Sequence, residues 1–349
     1  MEVILLVKER IAGIDWLRAF ACLSVVWVHS ISRALVTYDL PESSIEMARL
    51  LQITFIFATP MFVMMSEYIL SYSYPNRTPN EFWKKRILYI LIPYFTIPFV
   101  YAGYFGLLGT FTWEAISDRA FNYILFASWH GYFILIIFQF YVLHFIFNRF
   151  NKYLNPYLLI SLSILITMGY NMFFKTFSSP GGNWDLLWNH YGIILFPGWL
   201  AFFTIAYFAG RHAIEIKPFL KKAGPGFIVL TCIALLYCIY NVMDGVTGIS
   251  SRRNDVLIYT ILLFMSVLSI SVYIKKVPYL IKVISKYSFA IYLLHMMLLQ
   301  VYARYLPYEL SVSAFTITAF VFGVISSIAI SWLLKWIPGS QFLIGQLRK

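Results

Sequence analysis

Three polar residues of the first apolar segment have the types and spacing that suit charge pairing and proton transfer. Asp15 and Arg18 stand three residues apart, and His29 follows eleven residues after Arg18. On a helix all three share one face, with His29 about 21 Å beyond Asp15. A neutral histidine can take the proton of a hydroxyl group near pH 7. We therefore predict His29 as a general base, with Asp15 and Arg18 paired at the other end of the helix. The alternative is a structural ion pair plus an interfacial histidine.

Further polar groups lie within or beside apolar segments, where charged and titratable residues are costly and are therefore functional candidates. The basic cluster Lys84-Lys85-Arg86 suits phosphate groups, although such clusters also anchor membrane helices. The other candidates for substrate contacts or cavity lining are Glu67, Trp129, Tyr132, Gln139, Ser288, Tyr292 and His295. Their structural alternatives are an interfacial carboxylate for Glu67, an aromatic belt for Trp129 and interhelical hydrogen bonds for the serine.

The composition indicates that membrane helices position these residues. Of 349 residues, 60% are apolar and only 12% are charged, about half the charged fraction of a soluble protein. Ten apolar stretches are long enough to cross a bilayer, which predicts an all-α integral membrane protein in a single transmembrane domain. The predicted spans are 13–35, 48–72, 86–110, 123–147, 154–174, 191–210, 224–243, 255–274, 286–305 and 312–336.

Charge and cysteine content narrow the function further. Most of the 27 Lys and Arg residues fall in alternate loops on the side of both termini, so the positive-inside rule predicts cytoplasmic termini. This explains the net charge of +12 without a nucleic-acid partner. The three cysteines lack zinc-ligand spacing, and we expect no metal site. The short apolar segment 3–7 is expected to lie on the membrane surface.

Three motifs resemble the integral-membrane acyltransferase 3 family over nearly the whole chain. They are Asp15-x-x-Arg18 with His29, the basic segment from Arg86 to Pro93-Tyr94, and Ser288-x-x-x-Tyr292-Leu-x-His295. The segments 59–66, 86–94 and 129–133 with Gln139 are most similar to the intercellular-adhesion members, which are associated with the biofilm polysaccharide poly-β-1,6-N-acetylglucosamine.

The resemblance implies an enzyme that transfers a succinyl or acetyl group from acyl-coenzyme A to a hydroxyl of that polysaccharide. Arg86, Lys85 and Tyr89 would bind the coenzyme, which is a cosubstrate rather than a permanently bound cofactor. The expected location is the bacterial cytoplasmic membrane, with the lipid bilayer, the extracellular polysaccharide and its synthase as partners. Coenzyme A is cytoplasmic, so we predict a cavity that leads from Arg86 towards His29 between the first, third and ninth spans.

Two departures and two rival functions accompany this resemblance. Tyr89 replaces the second arginine that the family usually has in its basic motif, and Glu67 replaces a common glycine. A non-enzymatic exporter of the same polysaccharide is the main rival, and the many aromatic residues would supply its stacking surfaces. An ion-coupled transporter is less favoured because the chain shows no internal repeat.

Overall fold

The computed structural model describes residues 12–76, 78–109, 111–246, 248–274, 276–305 and 310–347, which leaves the predicted surface segment 3–7 outside the described residues. Throughout these ranges the regular structure is helical. The α-helices are α1 (Ala12–Thr37), α2 (Glu42–Phe55), α3 (Ala58–Ser73), α4 (Phe82–Arg86), α5 (Ile92–Leu108), α6 (Trp113–Leu125), α7 (Phe133–Phe150), α8 (Pro156–Thr176), α9 (Trp184–Leu186), α10 (Gly192–Ile194), α11 (Leu200–Arg211), α12 (Lys217–Met243), α13 (Asn254–Ser271), α14 (Tyr279–Tyr305), α15 (Val312–Leu334) and α16 (Gln341–Ile344).

Ten helical stretches of the described chain are long and apolar enough to cross a membrane, which confirms the all-α fold with about ten spans. Each overlaps one predicted span, whereas the side on which the termini lie stays a prediction. The stretches are Gly13–Thr37, Glu42–Ser73, Phe82–Leu108, Trp113–Tyr153, Pro156–Thr176, Trp184–Arg211, Lys217–Met243, Asn254–Ser271, Tyr279–Tyr305 and Val312–Leu334.

The fourth span is bent, where the sequence predicts one continuous helix over 123–147. Helix α6 ends at Leu125 and α7 begins at Phe133. Between them Ala127 has a φ of 48°, and Trp129 is extended. Left-handed and extended residues cannot continue a right-handed helix. Trp129 therefore does not share a helical face with the residues of α7.

The second span also contains a break, close to the kink that Pro60 predicts. Helix α2 ends at Phe55, and α3 starts at Ala58. Pro60 thus lies in the first turn of α3, where its missing N–H costs no helical hydrogen bond.

Helix α1 packs along α14, α15, α3 and α13. Small residues permit close packing of helices. A Cβ atom on Gly13 would lie 2.0 Å from Cβ of Ser271 on α13, so only glycine fits there. Buried Cys22 lies with its Sγ 3.7 Å from the backbone oxygen of Ser288 on α14. The two helices that carry the predicted polar motifs are thus held against each other.

Candidate functional site

Three histidines from distant parts of the chain meet at the α1–α14 contact. The ring of His29 lies 5.3 Å from that of His295 and the ring of His295 lies 5.2 Å from that of His130, measured between centroids. His29 projects from α1, His295 from α14, and His130 from the bend before α7. His295 is fully buried, whereas His29 reaches a cavity. The imidazoles of His29 and His130 can therefore contact a ligand in this cavity, whereas that of His295 cannot.

Hydrogen bonds give the three rings different chemical capacities. Nδ1 of His295 lies 2.7 Å from the backbone oxygen of Tyr292, so this nitrogen is a donor. Nε2 of His130 lies 3.0 Å from the same oxygen. None of the described residues lies within hydrogen-bond distance of the His29 ring. Among the residues that the structure describes, no group of three or more His, Cys, Asp or Glu side chains could hold a metal ion. His29 is left free to act as a proton acceptor.

His29 and His130 line a cavity of about 740 Å³, here called the aromatic cavity. Its walls come from the middle of α1, the bend before α7, the second half of α14 and the loop before α13. Several of its side chains are aromatic and offer faces on which sugar rings can stack. These aromatic residues include Tyr101, Tyr123, Trp129, Tyr132 and Tyr292.

A second cavity, of about 550 Å³, is basic in character and is here called the basic cavity. Ser285 and Ser288 on α14 form part of its wall, as does Tyr89. A cluster of cations of this density suits phosphate groups, because Lys and Arg make charge-assisted hydrogen bonds to their oxygens. The cations that line it are Arg18, Lys85, Arg86, Lys282 and Lys286.

Lys85 and Arg86, the two cations of this cavity that the sequence predicts as coenzyme ligands, differ in whether a carboxylate neutralises them. Lys85 forms an exposed ion pair with Glu81, at 2.9 Å between Nζ and Oε2. This pair also lowers the pKa of the Glu81 carboxyl, through the hydrogen bond from Lys85. Arg86 forms no ion pair with a described residue, and its guanidinium lies 5.2 Å and 5.3 Å from the ring centroids of Phe82 and Tyr141. Of the two cations, Arg86 is therefore the one that is held in place by aromatic rings and is not neutralised by a described carboxylate.

Asp15 acts on the basic cavity indirectly. It is buried, and its Oδ1 accepts a hydrogen bond of 2.8 Å from the Ser285 hydroxyl. The Ser288 hydroxyl in turn donates to the backbone oxygen of Ser285 at 3.0 Å. Asp15 thus fixes the serine face of α14 against α1, while Arg18, one turn further along α1, lines the cavity itself. This places Asp15 as a positioning residue.

Tyr292 is the side chain that the two cavities share. Its hydroxyl donates to the backbone oxygen of His130, and its ring centroid lies 4.2 Å from that of Phe133. Helix α1 contributes Arg18 from its first half to the basic cavity and His29 from its second half to the aromatic cavity, so the two cavities lie at different levels along this helix. Where the sequence predicts one cavity from Arg86 to His29, the structure has two that meet at Tyr292.

Glu67 lines neither cavity. It is fully buried, and its Oε1 lies 2.7 Å from Nδ1 of His144 on α7. The hydroxyl of Ser71 donates to the same oxygen at 2.5 Å, and Asn148 lies 2.8 Å from Nε2 of His144. Tyr207 on α11 donates to the Asn148 side chain at 2.9 Å. The sequence predicts Glu67 in the substrate cavity, but the structure places it in a polar network that joins α3, α7 and α11.

Loss of one partner from this network should destabilise the protein without touching either cavity. We expect Glu67→Ala to lower the free energy of unfolding by about 3–5 kcal/mol, because it removes the buried carboxylate that pairs with Nδ1 of His144 and accepts from the Ser71 hydroxyl. Thermal unfolding in detergent would show a lower Tm. The control is Glu215→Ala, which removes an exposed carboxylate 3.9 Å from His212 and should leave the Tm unchanged. Equal Tm values for the two variants would contradict this structural role.

Gln139 likewise lies outside both cavities and stabilises a break in the sixth span. Its Nε2 donates to the backbone oxygen of Ile194 at 2.9 Å, and its Oε1 accepts from the N–H of Phe196 at 2.9 Å. These bonds satisfy backbone groups where α10 ends, before the short 3₁₀ turn that leads to α11. Gln139 is thus a structural residue next to the aromatic cavity.

The sequence reasoning missed several residues that the structure brings to the cavities. His130 sits beside Gly131 in an apolar segment, and a titratable group at that depth is a signal that could have been used. Arg252 lies in a loop, where a basic residue carries no such signal. The missed residues are His130 and Arg252 in the aromatic cavity and Lys282 and Lys286 in the basic cavity.

A family model described as an acyltransferase domain matches residues 11–336, nearly the whole chain. The protein belongs to the acyltransferase 3 family. This confirms the family predicted from the motifs of α1 and α14, and membership indicates acyltransferase activity. As an acyltransferase 3 protein with ten candidate spans, the chain is a multi-pass membrane protein.

Curated relatives of this acyltransferase 3 protein carry two different names. The putative membrane-bound acyltransferase YfiQ of Bacillus subtilis is 32% identical, over 82% of this chain and 80% of its own length. A probable poly-beta-1,6-N-acetyl-D-glucosamine export protein of Staphylococcus aureus is 25% identical, over 95% of both chains. Its Staphylococcus epidermidis namesake is 26% identical, over 84% of this chain and 82% of its own. No solved structure matches the chain.

Proposed function

We propose that this protein transfers a succinyl or acetyl group from acyl-coenzyme A to a hydroxyl group of a cell-surface polysaccharide. One observation carries the proposal: the basic and the aromatic cavities lie at different levels along α1 and share Tyr292, with His29 lining the aromatic cavity. The first cavity suits a polyphosphate donor, and the second suits a sugar. Acyl transfer requires the reacting ends of the two ligands to meet, and the shared residue Tyr292 marks where they would do so.

His29 would act as the general base of the reaction. Its free ring nitrogen takes the proton of a sugar hydroxyl as the hydroxyl oxygen attacks the thioester carbonyl carbon. A C–O bond forms and the C–S bond breaks, so the acyl group moves to the sugar. The imidazolium then returns its proton to the thiolate of coenzyme A, which leaves as a thiol. The buried His295 ring, 5.3 Å from His29, would hold the base in place.

The donor would bind with its phosphates among the cations of the basic cavity and its acyl arm directed to Tyr292. Arg86 would be the main phosphate ligand because it forms no ion pair with a described carboxylate, and Lys85 and Tyr89 contribute to the same wall. Since coenzyme A is cytoplasmic, this cavity would face the cytoplasm of a bacterial cell. The aromatic cavity then faces outwards, so the polysaccharide is acylated on the outer side of the cytoplasmic membrane.

Poly-β-1,6-N-acetylglucosamine is the proposed acceptor, since relatives from two staphylococcal species are named for this polymer. Those names also make export the rival function. An exporter needs a continuous conduit for a sugar chain, whereas the described residues line two cavities that have the Tyr292 side chain in common.

Purified protein would test the proposal directly. We expect release of free coenzyme A thiol, and an acyl-mass gain on the glycan, when succinyl- or acetyl-coenzyme A is mixed with N-acetylglucosamine oligomers. Omission of either substrate should abolish both signals. Folded protein that binds the oligomers but transfers neither acyl group would contradict enzymatic function and support export.

A single methyl group should perturb the aromatic cavity. A Cβ atom on Gly131 would lie 2.1 Å from Cζ2 of Trp129, so Gly131→Ala must displace the rigid indole. Because small misplacements in a reaction site are costly, we expect acyl transfer to fall roughly tenfold to a hundredfold. Gly103→Ala is the control, since no heavy atom of another element lies within 4 Å of its Cβ. Equal rates in the same transfer assay would rule out a role for Trp129.

A further inference from the structure

The aromatic cavity contains a permanent positive charge that the proposed chemistry does not use. Arg252, in the loop between α12 and α13, is the one Lys or Arg among the described residues that line it. The same lining holds no Asp or Glu. The other titratable side chains there are tyrosines and the histidines His29, His130 and His190. The electrostatic potential of this cavity is therefore positive, which favours an anionic ligand.

The structure holds Arg252 in place without neutralising it. Its Nε donates to Oδ1 of Asn171 at 3.1 Å, and its guanidinium lies 6.0 Å from the centroid of the Phe174 ring. No described carboxylate lies within ion-pair distance. Burial lowers the pKa of Arg252 from its ordinary value, but a guanidinium remains charged in proteins. A partly buried and unpaired charge is costly, and a bound anion would offset that cost.

The neighbouring Arg253 shows the opposite arrangement. Its Nε lies 3.0 Å from Oδ1 of Asp255, and its second terminal nitrogen lies 2.5 Å from Oδ2. This two-point pair neutralises Arg253 within the protein. Of these two consecutive arginines, Arg253 has a carboxylate partner, whereas Arg252 lines the cavity without one among the described residues.

We propose that Arg252 binds an oxyanion, a carboxylate or a phosphate, of the ligand that occupies the aromatic cavity. The planar guanidinium matches such groups with two parallel hydrogen bonds. The identity of this ligand rests on the proposed function, and two sources have the required chemistry. One is the terminal carboxylate of a dicarboxylic acyl group such as succinyl, and the other is an acidic substituent on the glycan. Arg252 would then determine which acyl group or which glycan the protein accepts.

Anion binding can be measured without turnover. We expect succinate and inorganic phosphate to raise the Tm of the purified protein in detergent, and the neutral succinamide to have no effect. Arg252→Gln should weaken binding of succinate roughly tenfold or more, whereas phosphate can still bind to the cations of the basic cavity. Arg252→Lys keeps the charge but not the planar guanidinium, so its affinity for succinate should lie between those of wild type and Arg252→Gln. Lys175→Gln is the control, because Lys175 is exposed at the end of α8 and lines neither cavity. Equal succinate affinities in wild type and Arg252→Gln would overturn the proposal.

Transfer assays then identify the source of the anion. If it is the acyl group, Arg252→Gln should reduce succinyl transfer to a neutral N-acetylglucosamine oligomer at least tenfold more than it reduces acetyl transfer to the same oligomer. If it is the acceptor, the variant should reduce transfer of either group to a uronic-acid-containing oligomer at least tenfold more than transfer to the neutral one. Arg252-dependent binding of succinate in a protein without transferase activity would sustain the anion site and contradict the proposed function.

Discussion

Replacement of His29 by alanine should reduce the rate of acyl transfer by about 10²–10⁴-fold, the usual contribution of a general base. The cause is local, because no described residue hydrogen-bonds to the His29 ring and none of the packing around α1 depends on such a bond. The donor should still bind, since its proposed ligands lie in the basic cavity. Single-turnover measurements of thiol release, together with a separate donor-binding titration, would show the two effects independently.

The control for His29→Ala is His212→Ala, since His212 is half exposed after α11 and lines neither cavity. It should transfer acyl groups at the wild-type rate. If both variants remained active, His29 would not be the base. If His29→Ala also lost donor binding, a structural role would replace the catalytic one.

Replacement of Arg86 by glutamine should raise the KM for acyl-coenzyme A roughly tenfold to a hundredfold, the usual effect of losing hydrogen bonds to a charged group. The kcat should change less, because the basic cavity binds the donor at a distance from the reacting hydroxyl. Steady-state kinetics with varied donor and saturating acceptor would separate the two parameters. A short acyl thioester of N-acetylcysteamine carries no phosphate, so its KM should be the same in wild type and variant.

Lys84→Gln provides the matched charge control for Arg86→Gln. Lys84 lies two residues away on α4, is exposed, and lines neither cavity. The KM for the donor should therefore stay within about twofold of wild type, as surface charges contribute little. A similar rise in KM for both variants would indicate a general effect of surface charge rather than a phosphate site at Arg86.

The spans and the α1–α14 motifs could be predicted from the sequence because each depends on local patterns. A bilayer requires about 20 apolar residues per helix, and this length was visible in all ten segments. The spacing of Asp15, Arg18 and His29 is likewise a property of a single helix. The sequence also predicts Ser288 as a cavity or interhelical residue of α14, and in the structure Ser288 lines the basic cavity.

Long-range pairing and local backbone breaks could not be predicted in the same way. The bend at Ala127 depends on a positive φ at a residue that is not glycine, so the sequence does not indicate it. Because of this bend the ring of His130 lies beside that of His295. The pairing of Glu67 with His144 joins residues 77 positions apart. Hydropathy and helical periodicity contain no information about which spans are neighbours. The sequence therefore predicts Glu67 in a cavity that it does not line.

The sidedness of the reaction is the most direct test of the account. Acyl-coenzyme A would be supplied outside proteoliposomes that hold N-acetylglucosamine oligomers in their lumen, with the protein oriented so that its basic cavity faces outwards. We predict that acylated oligomer accumulates in the lumen while free coenzyme A remains outside, and that His29→Ala slows the formation of both products about 10²–10⁴-fold. Acylation that occurs only when donor and oligomer are on the same side of the membrane would contradict acyl transfer from the basic cavity to the aromatic cavity.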